Sequence, residues 1–125
     1  MLYLESIYRV TIYKGGGHVA EHTEHAPLTE AVYYILLSLY QPMHGYGIMQ
    51  NIKELSGGRV NIGPGTLYGA INTLLEKGWI KPKPNNENSR KKEYMITELG
   101  KEMVQAEILR LEELLNNGKR ITGRE

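Results

Sequence analysis

Three apolar stripes at helical spacing are cut apart by proline and glycine. Two short alternating runs around a basic loop follow them, and no other feature constrains this 125-residue chain as tightly. Thr29 and Glu30 open the first stripe just after Pro27. Ala31, Val32, Ile35, Leu36 and Leu39 then recur on one face, so the spacing predicts an amphipathic helix over 29–40, stopped by Gln41 and Pro42. A second helix is predicted over 45–55, with Ile48, Ile52 and Leu55 on its buried side and Ser56, Gly57 and Gly58 ending it. Pro64 suits the first turn of a third helix, because the N–H it lacks has no partner there in any helix. Leu67, Ile71, Leu74 and Leu75 form that helix's inward stripe, and Gly78 stands where a left-handed residue ends it.

Trp79-Ile80-Lys81 and Glu93-Tyr94-Met95-Ile96 read as two short strands around a polar loop from Lys83 to Lys92, which makes a long-looped hairpin. Trp79 is expected in the core, and Tyr94 is expected to point inward as Ile96 does. A last helix begins at Thr97 and carries Leu99, Met103, Val104, Ile108, Leu111, Leu114 and Leu115 to Asn117 and Gly118. The expected fold class is mainly α with a small β-hairpin wing (α+β): a winged helix-turn-helix plus a C-terminal dimerisation helix. Residues 28–96 are the expected winged-helix DNA-binding domain, and 97–125 the dimerisation helix and tail. Residues 1–27 look unlike the remainder. They are expected to be a weakly structured extension, with a short strand around Tyr8, Val10 and Ile12 and a hinge at Gly15, Gly16 and Gly17.

Composition removes most chemistry. Cysteine is absent and all 14 acidic residues are glutamate, so disulfides, thiolate metal sites, aspartate triads and EF-hand loops are excluded. No apolar run approaches the roughly twenty residues that span a bilayer. Glu5 and Arg9 interrupt the first apolar stretch, so no signal peptide is expected and the cytoplasm is the expected compartment. His18-Val19-Ala20-Glu21-His22, with His25 nearby, matches an H-x-x-E-H zinc-hydrolase string. Three glycines precede it and no apolar helix supports it, so a solvated tail is expected there, with no metal, no cofactor and no catalytic set.

The net charge of +1 hides an asymmetry. Residues 44–92 hold eight lysines and arginines against three glutamates, a net of +5. A basic middle in a near-neutral chain suits a nucleic-acid face. On the third helix, Gly65, Tyr68, Gly69 and Asn72 lie three or four apart and so share one outward face. Small residues let that face approach a duplex. Asn72 has the groups to pair with an adenine edge, and Tyr68 to touch a phosphate or a thymine methyl. The helix N-terminus at Pro64 and Gly65 offers unpaired N–H groups to phosphate. Lys81, Lys83, Arg90, Lys91 and Lys92 put positive charge on the wing. Each has a plainer alternative: Tyr68 and Tyr46 as packing residues, Asn72 and the lysines as solvated surface. On the last helix, Val104, Ile108, Leu111 and Leu115 step by four, three and four, as a coiled-coil seam does, so a second copy of the chain is the expected cover.

Several strings in one order resemble the PadR family of bacterial transcriptional regulators: Leu28-Thr29-Glu30-Ala31 to Leu39, His44-Gly45-Tyr46, Gly65-Thr66-Leu67-Tyr68, Leu74-Leu75-Glu76-Lys77-Gly78-Trp79-Ile80, and Ser89-Arg90-Lys91-Lys92 to Gly100. The resemblance covers about residues 28–115. It implies a homodimeric repressor whose last helix exchanges with its partner, joined through Leu99, Met103, Val104, Ile108, Leu111 and Leu115. It also implies that Tyr46, Thr66, Tyr68 and the wing residues Arg90 to Lys92 lie near double-stranded DNA. Regulators that resemble this chain often respond to small aromatic or drug-like molecules between the two halves of the dimer, which implies an effector site at Met103, Ala106, Glu107 and Arg110, with help from the first helix. Gly69 stands where the family usually has proline, and Gly47 where it often has glutamate. The resulting expectation is a sequence-specific DNA-binding regulator on an inverted-repeat operator. The alternative is a winged-helix protein-interaction module that has lost DNA binding.

Overall fold

A computed structural model describes residues 26–84 and 91–125. The short strand and glycine hinge expected near the N-terminus, the three clustered histidines and Arg90 lie outside the described residues. The element order is α1 (Glu30–Ser38), β1 (Met43–His44), α2 (Gly45–Leu55), α3 (Pro64–Lys77), β2 (Ile80–Pro82), β3 (Glu93–Ile96) and α4 (Glu98–Thr122). The chain divides into two compact units. One spans Thr29–Lys101; the other holds, among the described residues, 26–28 and 102–125.

Local chemistry explains each boundary. Thr29 caps α1, its Oγ1 accepting from the Val32 N–H at 3.1 Å, with Glu30 in the first turn where the helix dipole favours an anion. His44 caps α2, its Nδ1 accepting from the Gly47 N–H at 3.2 Å. Pro64 takes the first position of α3, and Gly78, at φ 77°, closes it in the left-handed conformation that favours glycine. Ile35, Leu36, Leu39, Ile48, Ile52, Leu67, Ile71, Leu74 and Ile80 are all essentially inaccessible and form the core of the Thr29–Lys101 unit. Burying one such side chain stabilises by about 1.5–3 kcal/mol. Under this core, the Asn51 Nδ2 donates to Ser38 Oγ at 2.9 Å, and Ser38 Oγ donates to the Tyr34 carbonyl at 2.8 Å.

The sheet has three strands rather than two, in the order β1-β3-β2. β3 pairs antiparallel with both neighbours, with Met43 opposite Tyr94 on one side and Ile80 opposite Ile96 on the other. The Ile96 N–H donates to the Leu39 carbonyl at 2.9 Å, which fastens β3 to the end of α1. Tyr94 and Ile96 are buried, as their alternation predicts.

Four expectations need correction. Leu55 is 49% exposed, because α2 ends on it and the chain turns away at Ser56. Leu75 is only half-buried, at the edge of the α3 stripe. Trp79 is half-buried rather than a core residue; it precedes β2, and the Lys77 ammonium lies 5.2 Å from its ring centroid. α4 does not stop at Gly118. Thr122 Oγ1 bonds the Gly118 carbonyl, Arg120 bonds Asn117, and the left-handed residue that follows the helix is Gly123, at φ 73°.

Candidate nucleic-acid interface

The outward side of α3 is built by subtraction. Leu67, Ile71 and Leu74 occupy the inner face, which leaves Gly65, Thr66, Tyr68, Gly69 and Asn72 exposed on the other. No described atom lies within 4 Å of where a Cβ on Gly65 or Gly69 would stand, so this stretch of helix is open to approach from outside. Gly63 is the N-cap without a side-chain cap among the described residues, and Pro64 has no N–H. The first amides of α3 therefore face outward with the positive end of the helix dipole behind them. Such a helix end attracts phosphate.

Tyr68 joins this face to the rest of the unit. It is 44% exposed, yet its ring lies against the start of α2, where Gly45 is buried. Burial pushes the Tyr94 phenol up, and the neighbouring Tyr68 phenol adds to the effect. Packing and outward presentation, the two alternatives for Tyr68, are combined in one side chain. Tyr46, one residue further into α2, is 62% exposed.

On the wing, Lys81, Lys83, Lys91 and Lys92 are exposed. Lys83 is tied down: its N–H donates to the Glu93 carbonyl at 2.9 Å, and its ammonium lies 3.4 Å from the Glu93 carboxylate. Part of the charge expected from Lys83 is therefore spent within the sheet. Arg59 counts little as well. Its guanidinium grips the Glu30 carboxylate with both nitrogens, and this hydrogen bonding holds the Glu30 carboxyl below its usual range.

Burial in the single chain divides the residues of the expected dimer seam. Met103 and Val104 are already buried within the single chain, Val104 to 1%, and Ile108 is half-buried. The exposed apolar residues of α4 are Leu99, Leu109, Leu111, Leu114, Leu115 and Ile121. Leu111 and Leu115 keep the four-residue step in the C-terminal half of the helix, with Leu114 beside Leu115 and Ile121 seven residues after Leu114. Of the expected effector residues, Met103 and Glu107 are buried, and Ala106 and Arg110 are half-buried. Glu107 and Arg110 hold each other: Arg110 Nε donates to Glu107 Oε1 at 3.0 Å and Nη2 to Oε2 at 2.5 Å, which raises the Arg110 pKa above its ordinary value. No group of three histidines or glutamates among the described residues is placed to hold a metal ion. Among the described residues, no helix is long and apolar enough to cross a membrane.

Sequence reasoning missed Gly45, Tyr94 and the two-residue β1 as parts of this region. A buried glycine beside His44 carries a signal only once the fold brings Tyr68 to it, and two residues are too few for a period.

Comparison with known proteins agrees with this fold. The model of the Transcriptional regulator PadR-like family matches residues 32–106. A curated relative, described as an uncharacterized 37.1 kDa protein in transposon TN4556 of Streptomyces fradiae, is 38% identical over 66 residues. That match takes in 53% of this chain but spans only 18% of the relative's length. Among solved structures, a transcriptional regulator from Clostridium thermocellum has a TM-score of 0.55 at 24% identity, covering 75% of this chain and 89% of its own. RosR of H. salinarum has a TM-score of 0.53 at 26% identity, covering 72% of this chain and 76% of its own. A Lactococcus lactis ZitR mutant in complex with DNA has a TM-score of 0.53 at 19% identity, covering 94% of this chain and 70% of its own.

Proposed function

The chain belongs to the PadR-like family of transcriptional regulators, and from that membership we propose that it is a sequence-specific DNA-binding regulator, not an enzyme, that works in the cytoplasm as a homodimeric repressor. The observation that carries the reading is the exposed face of α3, where Gly65, Thr66, Tyr68, Gly69 and Asn72 stand clear of the core that holds the helix in place. That face enters the major groove. Asn72 reads a base edge, Tyr68 and Tyr46 contact the backbone or a thymine methyl, and the amides after Pro64, with Thr66, hold a phosphate. Lys91 and Lys92, with Arg90 beside them, bind phosphate from the wing, and Lys83 assists. The ZitR complex supports a duplex as the partner of this fold.

Residues 28–96 form the DNA-binding domain and 97–125 the arm that pairs two copies. Leu111 and Leu115 lie at the centre of that pairing, with Leu114 and Ile121 extending it; all four are exposed in the single chain. A two-fold dimer sets its recognition helices about one duplex turn, ~34 Å, apart, so the operator is an inverted repeat. An aromatic effector that reached Met103, Ala106, Glu107 and Arg110 would release DNA by opening the Glu107–Arg110 pair. Glu107→Gln should then alter the response to that effector without altering operator affinity. The test of the whole reading is a titration of the protein on random and selected duplexes at several salt concentrations. Affinity should fall steeply with salt and be higher on the selected duplex. No salt-dependent binding to any duplex would favour the interaction module that has lost DNA binding.

A further inference from the structure

Gly45 is the first residue of α2 and is buried. Its φ lies outside the left-handed region, so the backbone at this position accepts any residue. Space is what excludes a side chain. A Cβ on Gly45 would overlap the Tyr68 hydroxyl oxygen, stand 2.7 Å from Tyr68 Cζ and lie 3.3 Å from Leu67 Cδ2. The far end of the Tyr68 ring therefore sits directly on the Gly45 backbone. Three elements meet there. β1 runs straight into Gly45 and sets Met43 opposite Tyr94 on β3, whose phenol is pushed up by burial and, to a lesser degree, by the Tyr68 phenol. Gly65 and Gly69, on the same helix as Tyr68, contrast with this: no described atom is within 4 Å of their missing Cβ positions. Gly47, two residues on, differs as well, because the atoms nearest a Cβ there belong to the Met43 and His44 side chains, with flexible Met43 the tightest at 2.9 Å.

We propose that Gly45 is a positioning residue for sequence reading. Its missing side chain is the seat of the Tyr68 ring, and that seat fixes how the outer face of α3, with Tyr68 and Asn72 on it, is offered to a duplex. The inference rests on the DNA-binding reading above and adds to it a specificity-determining residue that does not touch DNA. Alanine at Gly45 would push the Tyr68 ring off α2, while the helix itself tolerates alanine better than glycine.

The test uses the full chain and two probes: a random duplex of about 30 bp, roughly three turns, and a duplex of that length selected by the wild-type protein from a randomised pool. Gly45→Ala should weaken the selected duplex about tenfold, the size of a lost base contact, and the random duplex less than about twofold. Tyr68→Ala should lose selectivity in the same way, and adding Gly45→Ala to Tyr68→Ala should cost nothing more. Melting temperatures of all three variants accompany the titrations. An equal loss from Gly45→Ala with and without the Tyr68 ring would overturn the proposal while leaving DNA binding intact. A Tyr68→Ala variant that keeps the wild-type ratio of selected to random affinity would also overturn it, and would do so even if Gly45→Ala alone failed to fold. A wild-type protein that selects no sequence gives a different result, because it removes the DNA-reading function on which the seat depends.

Discussion

Lys92→Ala tests the wing with a magnitude that follows from geometry. Lys92 is exposed just before β3. In a two-fold dimer the substitution removes two phosphate contacts. Each contact contributes about 0.9 to the slope of log affinity against log salt, so the slope should flatten by about 1.8. Over a fourfold rise in salt, from about 50 to about 200 mM, the wild-type protein should lose about twelvefold more affinity than the variant. The loss should be alike on selected and random duplexes, because phosphate contacts carry no sequence information. Lys83→Ala is the internal control. The Lys83 ammonium already has the Glu93 carboxylate at 3.4 Å. An ion pair this exposed is worth under about 1 kcal/mol, but it leaves less charge to displace counterions, so the slope should change by less than half as much as for Lys92→Ala. Fluorescence anisotropy at five or six salt concentrations gives both slopes. An unchanged slope for Lys92→Ala refutes the wing contact, and equal changes for the two variants refute the ranking drawn from the Lys83–Glu93 pair.

Leu111→Glu should give monomer in sedimentation, because the charge would be buried unpaired at the centre of the proposed pairing of α4 helices, at a cost of several kcal/mol; an intact dimer would refute that placement. Leu67→Ala should lower stability by about 2–5 kcal/mol in chemical denaturation, since Leu67 is fully buried in the core of the Thr29–Lys101 unit; a loss under about 1 kcal/mol would show a core that recloses easily. The Glu30 carboxyl is held below its usual range by Arg59, so the pair stabilises above the unfolded-state carboxylate pKa and loses that contribution as pH falls through the lowered folded value. Glu30→Gln should therefore melt below wild type near pH 7 and merge with it in strong acid, and a difference that persists in acid would assign the effect to packing.

Periodicity made the three helices of the winged-helix unit legible, because each buries one stripe and each ends at a residue with a specific backbone role. Thr29 supplies an oxygen to an orphan amide, Pro64 lacks the amide that would be orphaned, and Gly78 adopts the left-handed turn. Features set by tertiary approach were not legible. β1 is two residues long and exists because β3 lies beside it. Gly45 looks like any glycine in sequence, and its meaning depends on a tyrosine 23 residues away. Gly118 carries a stop signal that the local Thr122 and Arg120 hydrogen bonds override, while Gly123 carries the same signal and obeys it. Spacing presents the α4 stripe as one seam. Burial divides it, with Met103 and Val104 covered within one chain and Leu111 and Leu115 left exposed, and spacing alone has no means of separating the two halves.

Asn72 decides whether the outer face of α3 reads DNA or merely rests on it. The measurement is the affinity of Asn72→Ala for the selected and the random duplex at one fixed salt concentration. If Asn72 pairs with a base edge, the variant should lose roughly 1–3 kcal/mol on the selected duplex and almost nothing on the random one. An equal loss on both duplexes, or no loss on either, would contradict base reading by this face of the helix.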